Sequence, residues 1–483
     1  MIRTTQREID RFLAVRPVQV AELELGATAE AGDGAAPPLL RPGPGSPPPG
    51  PGEVFALVRR GGVPVGTLLV TVAEDADPRD VVAEAARRLP SPSPEESPSR
   101  EESPSREESP SREESPSREG GLPPGRPPRT TVVVATRERA EQLARALDSL
   151  LAQDHPDFDV VVVDNAPVTA ATRELVAGTY GERVRYVREP VPGLARAHNA
   201  GLAAASGDVV AFTDDDVVAD PRWLTELSSP FSLDPGLGCT TGLILPARLR
   251  TPAQVLLESN GGFAKGFTPR VYDPADPPAD EPLFPFTAGR FGSGAAMAFR
   301  TTALRAVGGF DPATGTGTRA KGGDDLYAFV RVLAEGHRLR YVPRALVWHH
   351  HRETWRDLEN QAFGYGAGLT AYLTAVMVRR PALLPALLRR LPAGLAYARQ
   401  LTAARDTDRG GTDHGGTDGW GTGRGDTEGN GGTEGGGTAP GGHDRRDHPW
   451  PGRLSRLQRR GMLYGPLGYV RARRALRRAV TAR

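Results

Sequence analysis

The chain has 483 residues and a formal net charge of +1, because 60 Lys and Arg nearly balance 59 Asp and Glu. This balance excludes the strong positive field that is typical of nucleic-acid-binding proteins, so no nucleic-acid partner is expected. Gly (58) and Pro (46) together exceed a fifth of the residues, against roughly 12% in an average protein, which predicts that parts of the chain do not fold.

The single cysteine, Cys239, excludes an internal disulfide and a cysteine-based zinc site, and it favours a reducing compartment. Residues 1–8 lack the apolar core of a signal peptide, so export by that route is not expected. We therefore expect a cytoplasmic protein, with the cytoplasmic face of the membrane as an alternative location.

Residues 1–90 are predicted to form a small α+β module. Two apolar runs at 54–58 and 67–72 indicate strands, and residues 78–89 have a helical pattern. Residues 31–52, which are dominated by Ala, Gly and Pro, are predicted to be a linker-like insert. The module carries no motif that indicates a chemistry.

Residues 91–129 are predicted to be a disordered linker. They repeat Ser-Pro-Ser-Arg-Glu-Glu with a period of six, which is too polar and too rich in proline to bury a core. Residues 401–450 are predicted to be a second disordered linker, because they consist mostly of Gly, Thr and Asp.

Residues 130–400 are predicted to form the main domain, with an α/β fold. Short apolar runs alternate with helical periods, and right-handed crossovers then give a doubly wound, mostly parallel sheet flanked by helices. Ligands bind such sheets outside the carboxyl ends of the strands. The apolar runs lie at 131–135, 158–163, 184–187 and 209–213.

The first predicted strand ends at Thr136 and Arg137 without a glycine-rich turn. A dinucleotide fingerprint and a P-loop both need glycines for close approach of a phosphate, so this strand end argues against either site. The second strand ends at Asp164 and Asn165, which places a carboxylate and an amide at the same edge of the sheet.

Asp214, Asp215 and Asp216 directly follow the fourth apolar run. Because side chains alternate along an extended chain, Asp214 and Asp216 share a face while Asp215 points away. Two carboxylates on one face could hold a hard divalent cation, either Mg²⁺ or Mn²⁺. The alternative is a solvated acidic turn.

Three further segments carry candidate site residues. Arg196 lies at the start of a predicted helix, where a diphosphate group would be favoured, and the alternative is a packing helix with a surface arginine. Asp324 and Asp325 begin another helix, where the alternative is a simple N-cap. His349 and His351 share one face of a strand end; the alternative is a surface histidine run.

Together these segments resemble the inverting glycosyltransferases of family 2, which have the GT-A fold. The resemblance covers roughly residues 130–355, about half of the chain. It is carried, in the family's order, by 132–137 (VVVATR), 162–165 (VVDN), 192–201 (PGLARAHNAG), 212–216 (FTDDD), 292–300 (GSGAAMAFR), 308–311 (GGFD) and 322–326 (GGDDL). The chain departs from the usual pattern at His198, where arginine is commoner, at Asp324, where glutamate is usual, and at Ala296, where asparagine often occurs.

The resemblance implies a role for each matching residue. Asp214 would contact the ribose and Asp216 the metal ion, with His349, preferred over His351, as the nitrogen ligand. Asp325 would be the general base, with Asp324 as the alternative. The implied donor-binding residues are Thr136, Arg137, Asp164, Asn165, Arg196, Asn199 and Asp214, and the implied acceptor-side residues are Gly294 and Ala295.

The resulting hypothesis is a metal-dependent inverting glycosyltransferase of cell wall or polysaccharide biosynthesis. It would move a sugar from a nucleoside diphosphate donor, UDP-linked in the favoured case, to a hydroxyl group of a glycan or lipid-carrier acceptor. Two alternatives remain open, a sugar-nucleotide nucleotidyltransferase and a catalytically inactive protein that binds nucleotide sugars. The nucleotidyltransferase would need a glycine-rich loop after the first strand.

The C-terminal region is basic. Residues 360–378 carry no formal charge, but three glycines and two threonines interrupt them, so no membrane span is predicted. Residues 451–483 are predicted to be a basic tail with ten arginines and no acid. An anionic membrane surface is therefore a candidate partner, and the alternative is a solvated tail. Deletion of residues 405–483 is expected to leave activity on a soluble acceptor intact.

Overall fold

A computed structural model of the chain describes residues 12–26, 37–89, 126–260, 262–390, 392 and 450–481. Most of the two predicted linkers, residues 91–125 and 401–449, lies outside these ranges. The strands are β1 (Gln19–Leu25), β2 (Leu39–Pro42), β3 (Gly52–Arg60), β4 (Val63–Val72), β5 (Thr130–Thr136), β6 (Phe158–Asn165), β7 (Val184–Glu189), β8 (Val209–Asp214), β9 (Val217–Ala219), β10 (Leu237–Pro246), β11 (Arg270–Tyr272), β12 (Met297–Arg300) and β13 (Arg338–His349).

The helices alternate with the strands of the main domain, as the sequence predicts. They are α1 (Pro78–Ala86), α2 (Ala140–Leu151), α3 (Ala171–Leu175), α4 (Leu194–Ala204), α5 (Trp223–Ser228), α6 (Pro230–Leu233), α7 (Pro252–Ser259), α8 (Thr301–Ala306), α9 (Asp324–Ala334), α10 (Trp355–Arg379) and α11 (Gly452–Thr481).

The main sheet of the described region has the order β11-β13-β10-β12-β8-β5-β6-β7, and β9 pairs with β13. The four predicted strands correspond to β5, β6, β7 and β8, and all of their mutual pairings are parallel. Strand β12 runs antiparallel between β8 and β10. The predicted α/β fold with a parallel-rich sheet and flanking helices is confirmed.

Strand alternation places a hydrophobic core on each face of the sheet. Val133 of β5 lies in the core that α4 and α9 cover, with Ala195 and Phe329. Val132, the neighbouring residue, lies in the opposite core, with Leu147 of α2. Helices on both faces leave the carboxyl ends of the strands as the open edge.

The N-terminal module is a four-stranded sheet in the order β2-β1-β3-β4, with α1 packed against it. The predicted runs at 54–58 and 67–72 lie within β3 and β4. Residues 39–42 differ from the prediction: they belong to the expected linker insert but form β2. The reason is tertiary, because β2 pairs antiparallel with β1 and Leu40 packs against the core of the module.

The module shares a core with the main domain. Phe55 and Leu57 of β3 pack in one cluster with Leu243 of β10 and Trp348 of β13. Arg59 is only 6% exposed, and its guanidinium pairs with Glu22 at 3.0 Å and with Asp220 of the main domain at 2.5 Å. The module is therefore docked by apolar contacts and by a buried ion pair.

Helix α11 packs lengthwise on α10 through small residues. A Cβ atom at Gly366 of α10, or at Gly461 or Gly465 of α11, would overlap a backbone atom of the opposite helix. Gly461 faces Phe363 and Gly465 faces Ala367, so the two helices run in the same direction. This close approach needs glycine on both sides, because any side chain would separate the backbones.

The expectation of a solvated tail is wrong for α11. Leu454 and Tyr469 are fully buried, and the hydroxyl of Tyr469 donates to the Asp311 carboxylate at 2.8 Å. Arg379, at the end of α10, donates to the same carboxylate at 3.0 Å. The basic residues of α11 lie on the rest of the helix surface, while one face completes the core.

Among the described residues, no single helix has both the length and the apolar composition needed to cross a bilayer. One pair of segments, Trp355–Arg379 and Pro381–Arg390, meets that test jointly but is bent by 112°. Helix α10 has a buried face that includes Leu358, Tyr372 and Val376, so burial in the protein accounts for its apolar residues.

Candidate active site

The predicted site residues lie at the carboxyl edge of the main sheet. In the register of the parallel strands, Asp164 of β6 is opposite Thr136 of β5, and Ala135 of β5 is opposite Asp214 of β8. Adjacent strands are about 4.8 Å apart, so the backbones of Asp164 and Asp214 are separated by about 10 Å.

Asp214, Asp216 and His349 form a cluster that could hold a metal ion. Their nearest ligand atoms all lie within 4.8 Å of one another. The turn after β8 brings the chain back as β9, which pairs with β13 so that Val217 is opposite His349. The N–H of His350 also donates to the Asp216 carbonyl at 2.9 Å. Backbone pairing between distant segments thus fixes the carboxylates beside the imidazole.

The charges in this cluster are strongly coupled. Burial alone would raise the pKa of Asp216, but the charge and hydrogen bond of His349 and the charge of Arg139 hold that pKa well below its ordinary value. Burial and the charge of Asp216 raise the pKa of Asp214. Burial lowers the pKa of His349, yet the Asp216 and Asp214 carboxylates more than offset it, so the pKa is raised. A divalent cation would compete with the proton on His349.

Two carboxylates and one imidazole are a suitable donor set for a divalent ion such as Mn²⁺. His351 occupies a different position from His349. Its Nδ1 lies 3.1 Å from Nδ1 of His349, and its Nε2 lies 3.0 Å from the Glu258 carboxylate. His351 is therefore placed behind His349, where it can orient the ring that faces the carboxylates.

Arg139 is a residue at this edge that the sequence analysis missed. It donates to Asp215 at 2.5 Å and to Asp216 at 2.8 Å. Asp215 lies in the turn after β8 and outside the metal cluster, and it also accepts from the Thr136 hydroxyl at 2.7 Å. The only signal in the sequence was an arginine three residues after the strand end, which is too common to interpret.

Asp164 is buried beside Tyr186, whose hydroxyl donates to Oδ2 at 2.8 Å. Its other oxygen, Oδ1, is buried and has no hydrogen-bond partner among the described residues. Burial raises the pKa of Asp164. A buried carboxylate oxygen without a donor is costly, so a ligand that supplies an N–H or O–H group here would be stabilised.

The other predicted donor-binding residues fall into two groups. Arg196 is half-buried, and its Nε is buried without a partner among the described residues, while Arg137 is exposed. Asn165 and Asn199 instead hold loops. Asn165 donates to the Val191 carbonyl at 2.9 Å, and the Asn199 amide both donates to and accepts from the backbone of Phe310.

Asp325 lies in the first turn of α9 and is half-buried. Its Oδ1 accepts from the Leu326 N–H at 2.8 Å, and its Oδ2 accepts from the Gly294 N–H at 3.0 Å. Burial, followed by the charge of Asp324, raises the pKa of Asp325 to about 6. That value suits a group that is ionised at neutral pH but can still accept a proton.

The acceptor-side segment joins Asp325 to the end of β8. The hydroxyl of Thr213, adjacent to Asp214, donates to the Ala295 carbonyl at 2.7 Å. Gly294, the preceding residue, donates to Asp325. Two hydrogen bonds therefore tie the candidate base to the strand that carries the candidate metal ligands.

Asp324 is paired with His198 of α4. The two side chains are 6% and 2% exposed, and Nδ1 of His198 lies 3.1 Å from Oδ2 of Asp324. The histidine ring also packs against Phe212 and Phe310, with centroid distances of 5.0 and 4.8 Å. Two of the three departures noted in the sequence thus contact each other next to Asp325.

Comparison with known proteins gives a consistent result. Residues 127–364 match the family model described as glycosyltransferase like family 2. The pre-mycofactocin glycosyltransferase of Mycobacterium tuberculosis H37Rv is 32% identical over 249 residues, which are 50% of this chain and 48% of that protein. The succinoglycan biosynthesis protein ExoO of Rhizobium meliloti is 40% identical over 103 residues, which are 21% of this chain and 29% of that protein.

A solved structure of a mannosyltransferase from Pyrobaculum calidifontis, in complex with GDP-Man and Mn²⁺, is 22% identical and has a TM-score of 0.40. The alignment covers 60% of this chain and 78% of that one. The chain spans about half the length of the mycobacterial relative that it matches.

Proposed function

Residues 127–364 of this chain belong to the glycosyltransferase 2-like family, and from this premise we propose that the chain transfers a sugar from a nucleoside diphosphate donor to an acceptor hydroxyl, with inversion at the anomeric carbon. One observation carries the proposal. A buried carboxylate oxygen without a donor among the described residues, a candidate metal-ligand cluster and a carboxyl group with a raised pKa lie on connected segments at one edge of the sheet.

In this proposal the nucleotide lies across the ends of β5, β6 and β8. Asp164 accepts a hydrogen bond from the base through the oxygen that has no partner among the residues that the structure describes. Asp214 contacts the ribose, and Arg196 supports the diphosphate. The favoured donor is UDP-linked. Asn165 and Asn199 contribute indirectly, because their amides hold the loop before α4 and the loop after α8, respectively.

Asp216 and His349, together with Asp214, would hold the Mg²⁺ or Mn²⁺ ion. The nitrogen ligand favours Mn²⁺ over Mg²⁺, which binds through oxygen ligands and water. The chemistry that the ion supplies is Lewis-acid stabilisation of the departing diphosphate. Arg139 holds Asp216 in position through its hydrogen bond.

Asp325 is the proposed general base. It takes the proton from the acceptor hydroxyl as the oxygen attacks the anomeric carbon from the side opposite the diphosphate. The Gly294 and Leu326 N–H groups fix its orientation, so the proton is removed along a defined direction. Gly294 and Ala295 are proposed to border the acceptor.

The acceptor is proposed to be a hydroxyl group of a glycan or lipid carrier. The name of the ExoO relative refers to biosynthesis of a polysaccharide, which favours that class. A cytoplasmic location is part of the same proposal. It is supported by Cys239, which is buried and not paired in a disulfide.

The proposal is tested by comparing Asp325→Asn, Asp216→Asn and the exposed control Asp208→Asn. Turnover of a panel of nucleotide sugars should fall about 10² to 10⁴-fold in Asp325→Asn, while binding of UDP survives. Titration calorimetry should show that Mn²⁺ strengthens UDP binding in the wild type and in Asp208→Asn, but not in Asp216→Asn. Unchanged turnover in Asp325→Asn would transfer the base role to Asp324 or reject the mechanism.

A further inference from the structure

Helix α11 exposes a strip of apolar side chains on the face opposite its packing surface. Leu463 is 84% exposed, Leu467 47% and Val470 36%. At about 100° per residue these three positions fall within about 60° of one another, and Gly461 and Gly465 lie on the opposite side. The strip is about 10 Å long, and its exposure in water is unfavourable.

Arginines lie on the same side of α11, before and after the apolar strip. Arg456, Arg459 and Arg460 precede it, and Arg471 and Arg474 follow it; all five are exposed. The sequence from 450 to 481 contains no Asp or Glu. The outer face of α11, defined as these five arginines with Leu463, Leu467 and Val470, is therefore apolar in its centre and cationic at both ends.

We propose that the outer face of α11 lies flat on an anionic lipid surface. A helix in the plane of a membrane buries its apolar side chains at the boundary of headgroups and acyl chains, while arginines contact the headgroups. Each basic residue near an anionic leaflet adds attraction of about 1 kcal/mol. Charges at both ends of the strip favour this orientation over insertion across the bilayer.

Charge and exposure favour a lipid surface over other partners. A second copy of the chain would bring the same arginines together in a symmetric contact, which is repulsive. A nucleic acid would satisfy the arginines through its phosphates, but it would leave Leu463 exposed. An anionic bilayer provides an apolar boundary for the three apolar side chains and anionic headgroups for the five arginines.

The segment Pro381–Arg390 also exposes apolar and basic side chains. In Pro381–Arg390, Leu384 is 37% exposed and Leu388 53%. Arg389 is exposed beside Leu388, and Leu383 and Leu387 pack against the same core as Leu476 of α11. This segment therefore offers a second exposed apolar and basic group near the C-terminal end of α11.

The position of α11 connects this surface to the site. Helix α10, on which α11 packs, begins six residues after His349, and Tyr365 of α10 packs near Phe263, which in turn contacts the His349 ring. Membrane docking would therefore hold the site close to acceptors presented in the bilayer. This consequence for the acceptor rests on the proposed function, whereas the docking itself does not.

The test is co-sedimentation of the full chain with vesicles of phosphatidylcholine alone and of phosphatidylcholine with roughly 30% phosphatidylglycerol. Binding is expected only to the anionic vesicles and should weaken as salt is added. Binding should fall at least about tenfold in the double variant Leu463→Gln/Leu467→Gln. It should fall by a similar factor in the triple variant Arg456→Gln/Arg459→Gln/Arg460→Gln. The matched controls are Leu233→Gln, which is 70% exposed in α6, and Arg79→Gln/Arg87→Gln/Arg88→Gln in the N-terminal module.

Three results would overturn the proposal: no sedimentation with anionic vesicles, equal binding to both vesicle types, or loss of binding in the controls to the same extent. Binding to a duplex DNA fragment that is insensitive to the leucine changes would assign the surface to nucleic acid instead. Calorimetric titration of UDP with Mn²⁺ on the same preparations separates this inference from the proposed function. Vesicle binding without UDP binding would reject the UDP-linked donor but not the docking, and UDP binding without vesicle binding would reject only the docking.

Discussion

Three aspartates near one edge of the sheet have different electrostatic environments. The pKa of Asp216 is held low by His349 and Arg139, whereas burial raises the pKa of Asp215 to about 7 and of Asp325 to about 6. A carboxylate that stays ionised suits a metal ligand, and a carboxyl that titrates near neutrality suits a base. The sequence shows only aspartates, so this division of roles comes from their surroundings.

A prediction about pH follows from the raised pKa of Asp325. A general base acts only when it is deprotonated, so kcat/KM should fall as the pH drops through about 6. The negative charge of Asp324 is one cause of that raised pKa. Asp324→Asn should therefore lower the pKa of Asp325 and move the acid limb of the profile to lower pH. The measurement is kcat/KM against pH with a saturating metal concentration.

Asp208→Asn serves as the control for this profile, because Asp208 is exposed at the opposite end of β8. Its acid limb should coincide with that of the wild type. An acid limb that stays in place in Asp324→Asn would assign the titration to a group other than Asp325.

The contact between His198 and Asp324 explains two departures from the usual family pattern together. The histidine is held between Phe212 and Phe310, and its nitrogen faces a carboxylate that is nearly inaccessible to water. Buried carboxylates need a polar partner. The nearest atoms of the two side chains are 3.1 Å apart, but neither atom makes a hydrogen bond within the described residues.

At the scale of elements, glycines determine how α10 and α11 fit together. The helices approach so closely that Gly461 and Gly465 lie against the backbone at Phe363 and Ala367. The contact also positions Tyr469, whose hydroxyl reaches Asp311 in the loop that leads to α9. Packing of α11 therefore supports the segment that carries Asp324 and Asp325.

The helix contact predicts that Gly465→Leu strongly destabilises the protein. A side chain at this position would overlap the Ala367 carbonyl, and the helices would have to separate. We expect a loss of at least about 3 kcal/mol in unfolding free energy, even though leucine has a higher helix propensity than glycine. Thermal unfolding followed by circular dichroism measures this loss.

Ala475→Leu is the matched control, because it adds a similar side chain on the exposed part of the same helix. Its melting temperature should stay within a few degrees of the wild type. Equal melting temperatures for both variants would contradict the proposed packing.

At the scale of the whole molecule, one hydrophobic cluster connects three distant parts of the chain. It contains Val20 and Phe55 of the N-terminal module, Trp348 of the main domain and Leu454 of α11. Segments separated by long biased sequences thus share a core. The family match at 127–364 covers only the middle part of this arrangement.

The shared core changes the expected outcome of deletions. Removal of 450–483 should cost several kcal/mol, because Leu454 and Tyr469 are fully buried and each contributes about 2 kcal/mol or more. This revises the expectation that residues 405–483 are dispensable. Removal of 410–440 alone should leave the melting temperature nearly unchanged.

The linker deletion is tolerated for a geometric reason. Helices α10 and α11 run in parallel, so the connection must return along α10, about 38 Å for 25 residues. Between residue 392 and Gly452, 28 residues would remain after the deletion, and they could extend to about 90 Å. Comparison of melting temperatures and of soluble yield for the two deletions checks this prediction, and similar losses in both would contradict it.

Local patterns in the sequence were sufficient to predict the four parallel strands of the main sheet and the edge at which the candidate site residues lie. Apolar runs specify β5, β6, β7 and β8, and the helical crossovers that connect them make these strands parallel. Residues that end such strands must lie at one edge, which is why Asp164, Asp214 and Asp216 could be named in advance. These inferences need only neighbours in the chain and general rules of chirality.

Contacts between distant residues decided the rest. The pairing of Arg139 with Asp215 and Asp216, the position of His349 in front of His351, and the burial of α11 all depend on segments far apart in sequence. A periodic pattern reports which face of an element is apolar, but it does not report what covers that face. Only the tertiary structure shows that α11 buries its glycine face together with Leu454 and leaves Leu463, Leu467 and most of its arginines outside.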